Sequence, residues 1–149
     1  MNFKNYKNIF LDRDGVINEI IMRDNIVSSP RNIDEFIIRE DFIKFYNFIK
    51  SEDKNLFVVT NQPDLGRKLL KNKDFLSMHG ILEELFNFKQ IEHCPHTDEL
   101  CCKCRKPLPG MILKIIEEFS LDKSSCVMIG DGEKDLLAAK NSEIDFILL

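Results

Sequence analysis

Asn8-Ile9-Phe10-Leu11-Asp12-Arg13-Asp14-Gly15-Val16-Ile17-Asn18 is an apolar run that stops at two acids and a glycine. Its first half reads as a short buried strand. In an open α/β sheet the carboxyl ends of the strands are where ligands bind. Gly15 permits the turn that brings both carboxylates to one side. Two such acids can hold a divalent cation and leave one carboxylate free as a nucleophile. On its own the Asp-x-Asp-Gly pattern is weak, because Asp and Gly are common turn residues. An EF-hand loop is excluded, since the glycine comes too early and the twelfth loop position carries no acid.

Outward from this stretch, strand candidates recur at 56–60, 90–93, 126–129 and 144–148. Helical spacing separates them. Phe42, Phe45, Tyr46 and Ile49 share a face over 41–50, and Phe75, Met78, Leu82, Leu85 and Phe86 share one over 74–86. Pro109 suits the first turn of a helix reaching about Phe119, with Ile112, Ile115, Ile116 and Phe119 inward. A last helix over 133–141 carries Leu136, Leu137 and Ala139. Strands alternating with helices predict a mostly parallel sheet of about five strands, covered on both faces. Segments 19–39 and 62–73 are the least regular and are expected to rim a cleft.

Four predicted strands end in residues with chemistry. The first ends in Asp12 and Asp14, and the second in Thr60-Asn61-Gln62. The third enters Cys94-Pro95-His96, and the fourth ends in Gly130-Asp131, with Asp135 four residues beyond Asp131. A parallel sheet brings them to one edge. Asp12, Asp14 and Asp131, supported by Asp135, make an oxygen site suited to Mg²⁺. Thr60 and Asn61 suit phosphate oxygens there, though a helix cap is their more ordinary role. Lys106 beside a carboxylate nucleophile would balance the charge of a phosphorylated intermediate.

The chain has 149 residues, 44% hydrophobic and 31% charged, which is the composition of one globular domain. A net charge of −4 without a basic run argues against a nucleic-acid partner. No apolar stretch approaches the ~18–20 residues that span a bilayer, and no signal peptide is evident, so a cytoplasmic protein without a membrane partner is expected. Five cysteines are present, four of them between 94 and 104. With His96, this crowding predicts a closed zinc site rather than a disulfide framework. Cys94, His96 and Cys104 are natural ligands, and Cys101 and Cys102 compete for the fourth place. Cys126 reads as core, and His79 and His93 receive no role.

Asp12-Arg13-Asp14-Gly15, Thr60-Asn61-Gln62, Lys106 and Gly130-Asp131-x-x-x-Asp135 together resemble, in order, the four motifs of haloacid-dehalogenase-like phosphatases. The Cys-x-His and Cys-x-Cys-Arg-Lys-Pro loop is similar to that of the small zinc-containing subfamily, which comprises heptose bisphosphate and histidinol phosphatases. The resemblance implies a doubly wound three-layer sandwich without a large cap domain, spanning 1–149, with a zinc-binding loop at 94–104. It implies Asp12 as nucleophile and Asp14 as general acid and base. Mg²⁺ would be held by Asp12, the backbone carbonyl of Asp14 and Asp131. Thr60 and Lys106 would stabilise the phosphoryl group. Zinc would be held by Cys94, His96, Cys102 and Cys104. Asn61, Gln62, Arg67 and Arg105 would bind substrate. The expected reaction is removal of the C7 phosphate of a heptose 1,7-bisphosphate by a monomer serving surface-polysaccharide synthesis. Histidinol phosphate is the alternative substrate. Gly132 stands where the resemblance leads one to expect a basic residue, and Lys134 is close by. A receiver domain would need its phosphoacceptor on the third strand. A zinc module for nucleic acid would leave the acidic strand ends unexplained.

Overall fold

The computed structural model describes residues 3–149. Five parallel strands form one sheet: β1 (Asn8–Leu11), β4 (Asn55–Asn61), β5 (Gln90–Cys94), β6 (Cys126–Gly130) and β7 (Asp145–Leu148). Their spatial order is β5-β4-β1-β6-β7. β1 and β6 are buried along their whole length, as strands covered on both faces must be.

Alternation within the strands divides the core in two. Ile9, Leu11, Leu56, Val58, Val127 and Ile129 face one layer, with α1 (Glu40–Ile49) and α3 (Asn72–Leu85). Phe10, Phe57, Val59, Cys126 and Met128 face the other, with α4 (Gly110–Glu118) and α5 (Glu133–Ser142). Phe10 stacks on Phe57 with ring centroids 5.2 Å apart, so neighbouring strands also share side-chain packing on that face. The α/β class, the strand number and the doubly wound sandwich are as expected from the sequence. No large cap is present among the described residues.

Some periodic positions fall differently. Leu85 and Leu136 are exposed, whereas Ala139, as expected, and Ala138 fill the α5 interface at 0% exposure. A helix laid close on a sheet leaves room only for small side chains at its nearest points. Pro109 caps α4 rather than entering its first turn. The irregular segment 19–39 contains a hairpin, β2 (Ile21–Arg23) and β3 (Ile26–Ser28). Asp24 and Asn25 join the two strands with φ of 50° and 60°, a turn that Asn and Asp tolerate well. With three residues each and no buried side chain, these strands have no burial pattern to read. A four-residue helix, α2 (Pro63–Gly66), follows β4.

Candidate active site

The register of the sheet sets the site. Leu11 pairs with Val58 on one side and Ile129 on the other, so the residues just beyond each strand meet at one edge. The Asp12 N–H still donates to the Ile129 carbonyl at 3.0 Å. The chain then turns sharply, with the Ile17 N–H on the Arg13 carbonyl at 2.8 Å. Gly15 adopts φ +85°, and a Cβ there would lie 1.9 Å from Asp131 Oδ2. Only glycine lets this loop lie against the acid at the end of β6.

Carboxylate oxygens of Asp12, Asp131 and Asp135 lie within 4.8 Å of one another. Asp135 reaches this trio from the first turn of α5. Gly130 makes that approach feasible, since a Cβ there would sit 2.3 Å from that of Asp135. Lys106 is buried at the centre, with Nζ 2.8 Å from Asp12 Oδ1 and 2.6 Å from Asp135 Oδ1. Burial alone would discharge Lys106, but these two carboxylates hold its pKa above the ordinary value. Burial raises the pKa of Asp12, with Lys106 opposing. Burial and the nearby Asp135 raise that of Asp131. Acids crowded at the cost of raised pKa values fit a site built for an oxygen-seeking divalent cation.

Asp14 is separate from this trio by its carboxylate. The carboxylate accepts from Arg13 Nε at 3.0 Å, Asn18 Nδ2 at 2.9 Å and Gln62 Nε2 at 2.7 Å, and Ser29 lines the same cleft. Burial disfavours its charge, but Arg13 and the other donors outweigh burial and hold the carboxyl below its usual range. The Asp14 carboxylate thus stands apart from the acidic trio, whose third member is Asp135. Arg13 is wholly buried and stacks over the Phe36 ring at 5.5 Å. Sequence reasoning passed over Arg13, Asn18 and Ser29. A charged residue between two acids carries no mark of burial, and Ser29 arrives only through the hairpin.

The remaining expected residues divide. Thr60 and Asn61 line a cleft of about 470 Å³ with Asp12, Asp131, Lys106 and Arg105. Both amide atoms of Asn61 clamp the Lys106 backbone, accepting its N–H at 3.0 Å and donating to its carbonyl at 2.9 Å. Gln62 is fully buried and bridges Asp14 and Thr60 Oγ1, so it holds the acid rather than facing the cleft. Arg105 pairs with Asp98 and donates to the His96 carbonyl at 3.2 Å. Arg67 lies outside the cleft, against Asp64 and in the adjoining cavity.

The sulfur loop closes on itself. Cys94 Sγ is 3.1 Å from Cys104 Sγ and 3.6 Å from Cys102 Sγ. His96 Nδ1 is 3.4 Å from Cys94 Sγ and 3.3 Å from Cys104 Sγ. A tetrahedral zinc with Zn–S bonds of ~2.3 Å separates its sulfurs by roughly 3.8 Å, close to this arrangement. Cys102 belongs to this group with Cys94, His96 and Cys104, whereas Cys101 is exposed, with φ 45°, and outside it. Burial opposes ionisation of Cys102, but the Arg105 N–H and the neighbouring thiols bring it down to about 6. Burial pushes Cys94 up to about 12. The loop thus offers three sulfurs and one imidazole to a metal ion, directly before Arg105 and Lys106.

A parallel doubly wound sheet with an acid ending β1, a second acid pair after β6 and a buried lysine between them defines a class. Residues 14–143 match the family model of haloacid dehalogenase-like hydrolases, and the chain belongs to that family. Among curated relatives it is 33% identical to the D-glycero-alpha-D-manno-heptose-1,7-bisphosphate 7-phosphatase of Campylobacter jejuni, over 96% of this chain and 81% of that protein. It is 39% identical to the D-glycero-beta-D-manno-heptose-1,7-bisphosphate 7-phosphatase of Neisseria meningitidis, over 89% and 71%. Among solved structures, the D,D-heptose 1.7-bisphosphate phosphatase of B. bronchiseptica, complexed with magnesium and phosphate, superposes with a TM-score of 0.83. That match has 31% identity and covers 95% of this chain and 79% of that one. A weaker resemblance, 31% identity over 93% of this chain and 39% of the relative, is to the histidine biosynthesis bifunctional protein HisB of Buchnera aphidicola.

Proposed function

We propose that the chain removes the C7 phosphate of a heptose 1,7-bisphosphate through a phosphorylated Asp12. The single observation that carries this is the pairing of Asp12 with buried Lys106 inside the acidic trio, in a chain whose relatives named above act on heptose bisphosphates. Asp12 Oδ1 accepts from the Arg13 N–H at 2.7 Å and from Lys106 Nζ. Its Oδ2 is left to attack phosphorus and displace the sugar oxygen. Lys106 and Thr60 hold the phosphoryl oxygens.

Asp14 then accepts the proton of the water that hydrolyses the acyl phosphate. Its lowered pKa keeps the carboxylate ionised, and so able to take up that proton. The preceding acid step requires the carboxyl to leave Arg13 and Gln62 and carry a proton to the leaving oxygen. Asp12, Asp131 and the Asp14 carbonyl, supported by Asp135, would hold Mg²⁺. When bound, Mg²⁺ supplies positive charge against the transferring phosphoryl group. Cys94, His96, Cys102 and Cys104 would hold a structural zinc that stiffens the loop presenting Arg105 and Lys106. The enzyme works as a cytoplasmic monomer in surface-polysaccharide heptose synthesis. Among the described residues no helix is long and apolar enough to cross a membrane.

A phosphate-release panel with Mg²⁺ tests the substrate. It compares both heptose bisphosphate anomers, histidinol phosphate and simple sugar phosphates. A heptose bisphosphate is expected to lead by about tenfold or more in kcat/KM, and D12N to be inactive on all of them. Faster turnover of histidinol phosphate would overturn this reading.

A further inference from the structure

Among the described residues, Arg13 Nη1, Asn18 Oδ1, Gln62 Oε1 and His79 Nε2 are buried side-chain atoms without a hydrogen-bonding partner in the protein. Buried polar atoms are normally paired, so a cluster of exceptions calls for a cause. Arg13, Asn18 and Gln62 are the residues that hold the Asp14 carboxylate. His79 approaches the same place from α3. Arg13 lies over the Phe36 ring, α3 packs on the turn Ile33–Glu35 just before Phe36, and Phe36, Phe75 and Met78 belong to one core layer. His79 feels the charges of both Arg13 and Asp14.

Arg13 is wholly buried, and among the described residues its guanidinium is ion-paired with Asp14 alone, through Nε and Nη2. The acid step breaks this pair, because the carboxyl must turn to the leaving oxygen. A buried guanidinium that loses its partner is costly unless another acceptor takes its place. Asn18 Oδ1 and Gln62 Oε1 sit on amides that are themselves bonded to Asp14. His79 is not tied to that carboxylate. Burial, with the Arg13 charge, keeps its ring neutral, with a pKa down to about 3. A neutral imidazole with its proton on Nδ1 presents Nε2 as an acceptor. Phe75 packs on the ring, with centroids 4.0 Å apart, and limits its movement.

We propose that His79 is a positioning residue for the acid step. Its Nε2 accepts from Arg13 Nη1 and holds the guanidinium while Asp14 turns outward and gives its proton to the ester oxygen as the P–O bond breaks. The inference rests on the phosphatase reading of the acidic cleft, in which Asp14 is the acid.

The test measures kcat/KM of the wild-type, H79L and H79Q enzymes with Mg²⁺ on heptose 1,7-bisphosphate and on para-nitrophenyl phosphate. A nitrophenolate leaves without a proton, so the aryl ester bypasses the acid step, whereas a sugar alkoxide needs it. H79L should lose about tenfold or more on the heptose ester and stay within about twofold of the wild type on the aryl ester. H79Q, whose amide oxygen accepts where Nε2 did, should recover most of that loss. H79M is the second apolar variant if H79L folds poorly, and should match it. Equal losses on the two esters would make His79 a packing residue and overturn the inference. So would wild-type rates for H79L on both, or an H79Q no better than H79L. Each of these leaves the phosphatase reading intact. A wild type that hydrolyses neither ester would overturn both.

Discussion

Lys106 shows how much a single side chain depends on its surroundings. It is an ammonium buried to 2% exposure, which is unfavourable unless carboxylates meet it closely. Asp12 and Asp135 do so, and Asn61 fixes its backbone from β4. Gly15 is the matching case for the backbone. Its φ of +85° disfavours any side chain, and a Cβ would displace Asp131. Gly15→Ala is expected to lower kcat/KM about 100-fold, because a displacement near 1 Å at reacting groups has that effect. It should also raise the Mg²⁺ concentration needed for half-maximal rate. A Mg²⁺ titration of the variant checks this, and an unchanged profile would remove Asp131 from the cation site.

At the scale of elements, two loops make the site. The hairpin brings Ser29 to Asp14, and the sulfur loop brings Arg105 and Lys106 to the cleft. The sulfur loop has little apolar burial of its own, since Cys101, Lys103 and Leu100 are exposed. The proposed zinc would therefore be a main restraint on it. Cys102→Ser is expected to abolish stoichiometric zinc, to reduce activity and to lower the melting temperature. Cys101→Ser should retain one zinc per chain. Metal analysis of the two purified variants separates them, and equal zinc contents would refute the assigned ligand set.

Across the whole molecule, buried titratable groups link stability to pH. His79 on α3 packs on Phe75, with ring centroids 4.0 Å apart, and its Nε2 is buried without a partner. Burial, with the Arg13 charge nearby, pulls its pKa down to about 3 from 6.5. The folded state thus keeps His79 neutral where the unfolded chain takes up a proton. Its contribution is present above pH 6.5 and is lost as pH falls from there toward 3. His79→Leu should flatten the loss of stability between pH 7 and 5 by about 2 kcal/mol, read from denaturant melts at each pH. Parallel curves for the two proteins would show that His79 is already charged in the folded state.

The sequence by itself determined the five-stranded sheet and the chemistry-bearing residues that stand at its strand ends. Apolar patterns are local, and hydrophobic burial enforces them, so the five strands of the sheet, the main helices and the acids at the strand ends were legible, while the β2–β3 hairpin was not. Leu85 and Leu136 escaped this logic because periodicity marks a face but not how closely that face approaches the sheet. Only the tertiary structure decided which acids meet. Asp135 rather than the Asp14 carboxylate completes the trio, because a glycine at 130 admits α5 and Arg13 draws Asp14 aside. It also decided that Asn61 and Gln62 brace the site from within, and that Arg67 stands in a neighbouring cavity with Arg23 and Arg31. These are contacts between segments far apart in the chain. Burial and charge pairing select them only once the strands are in register.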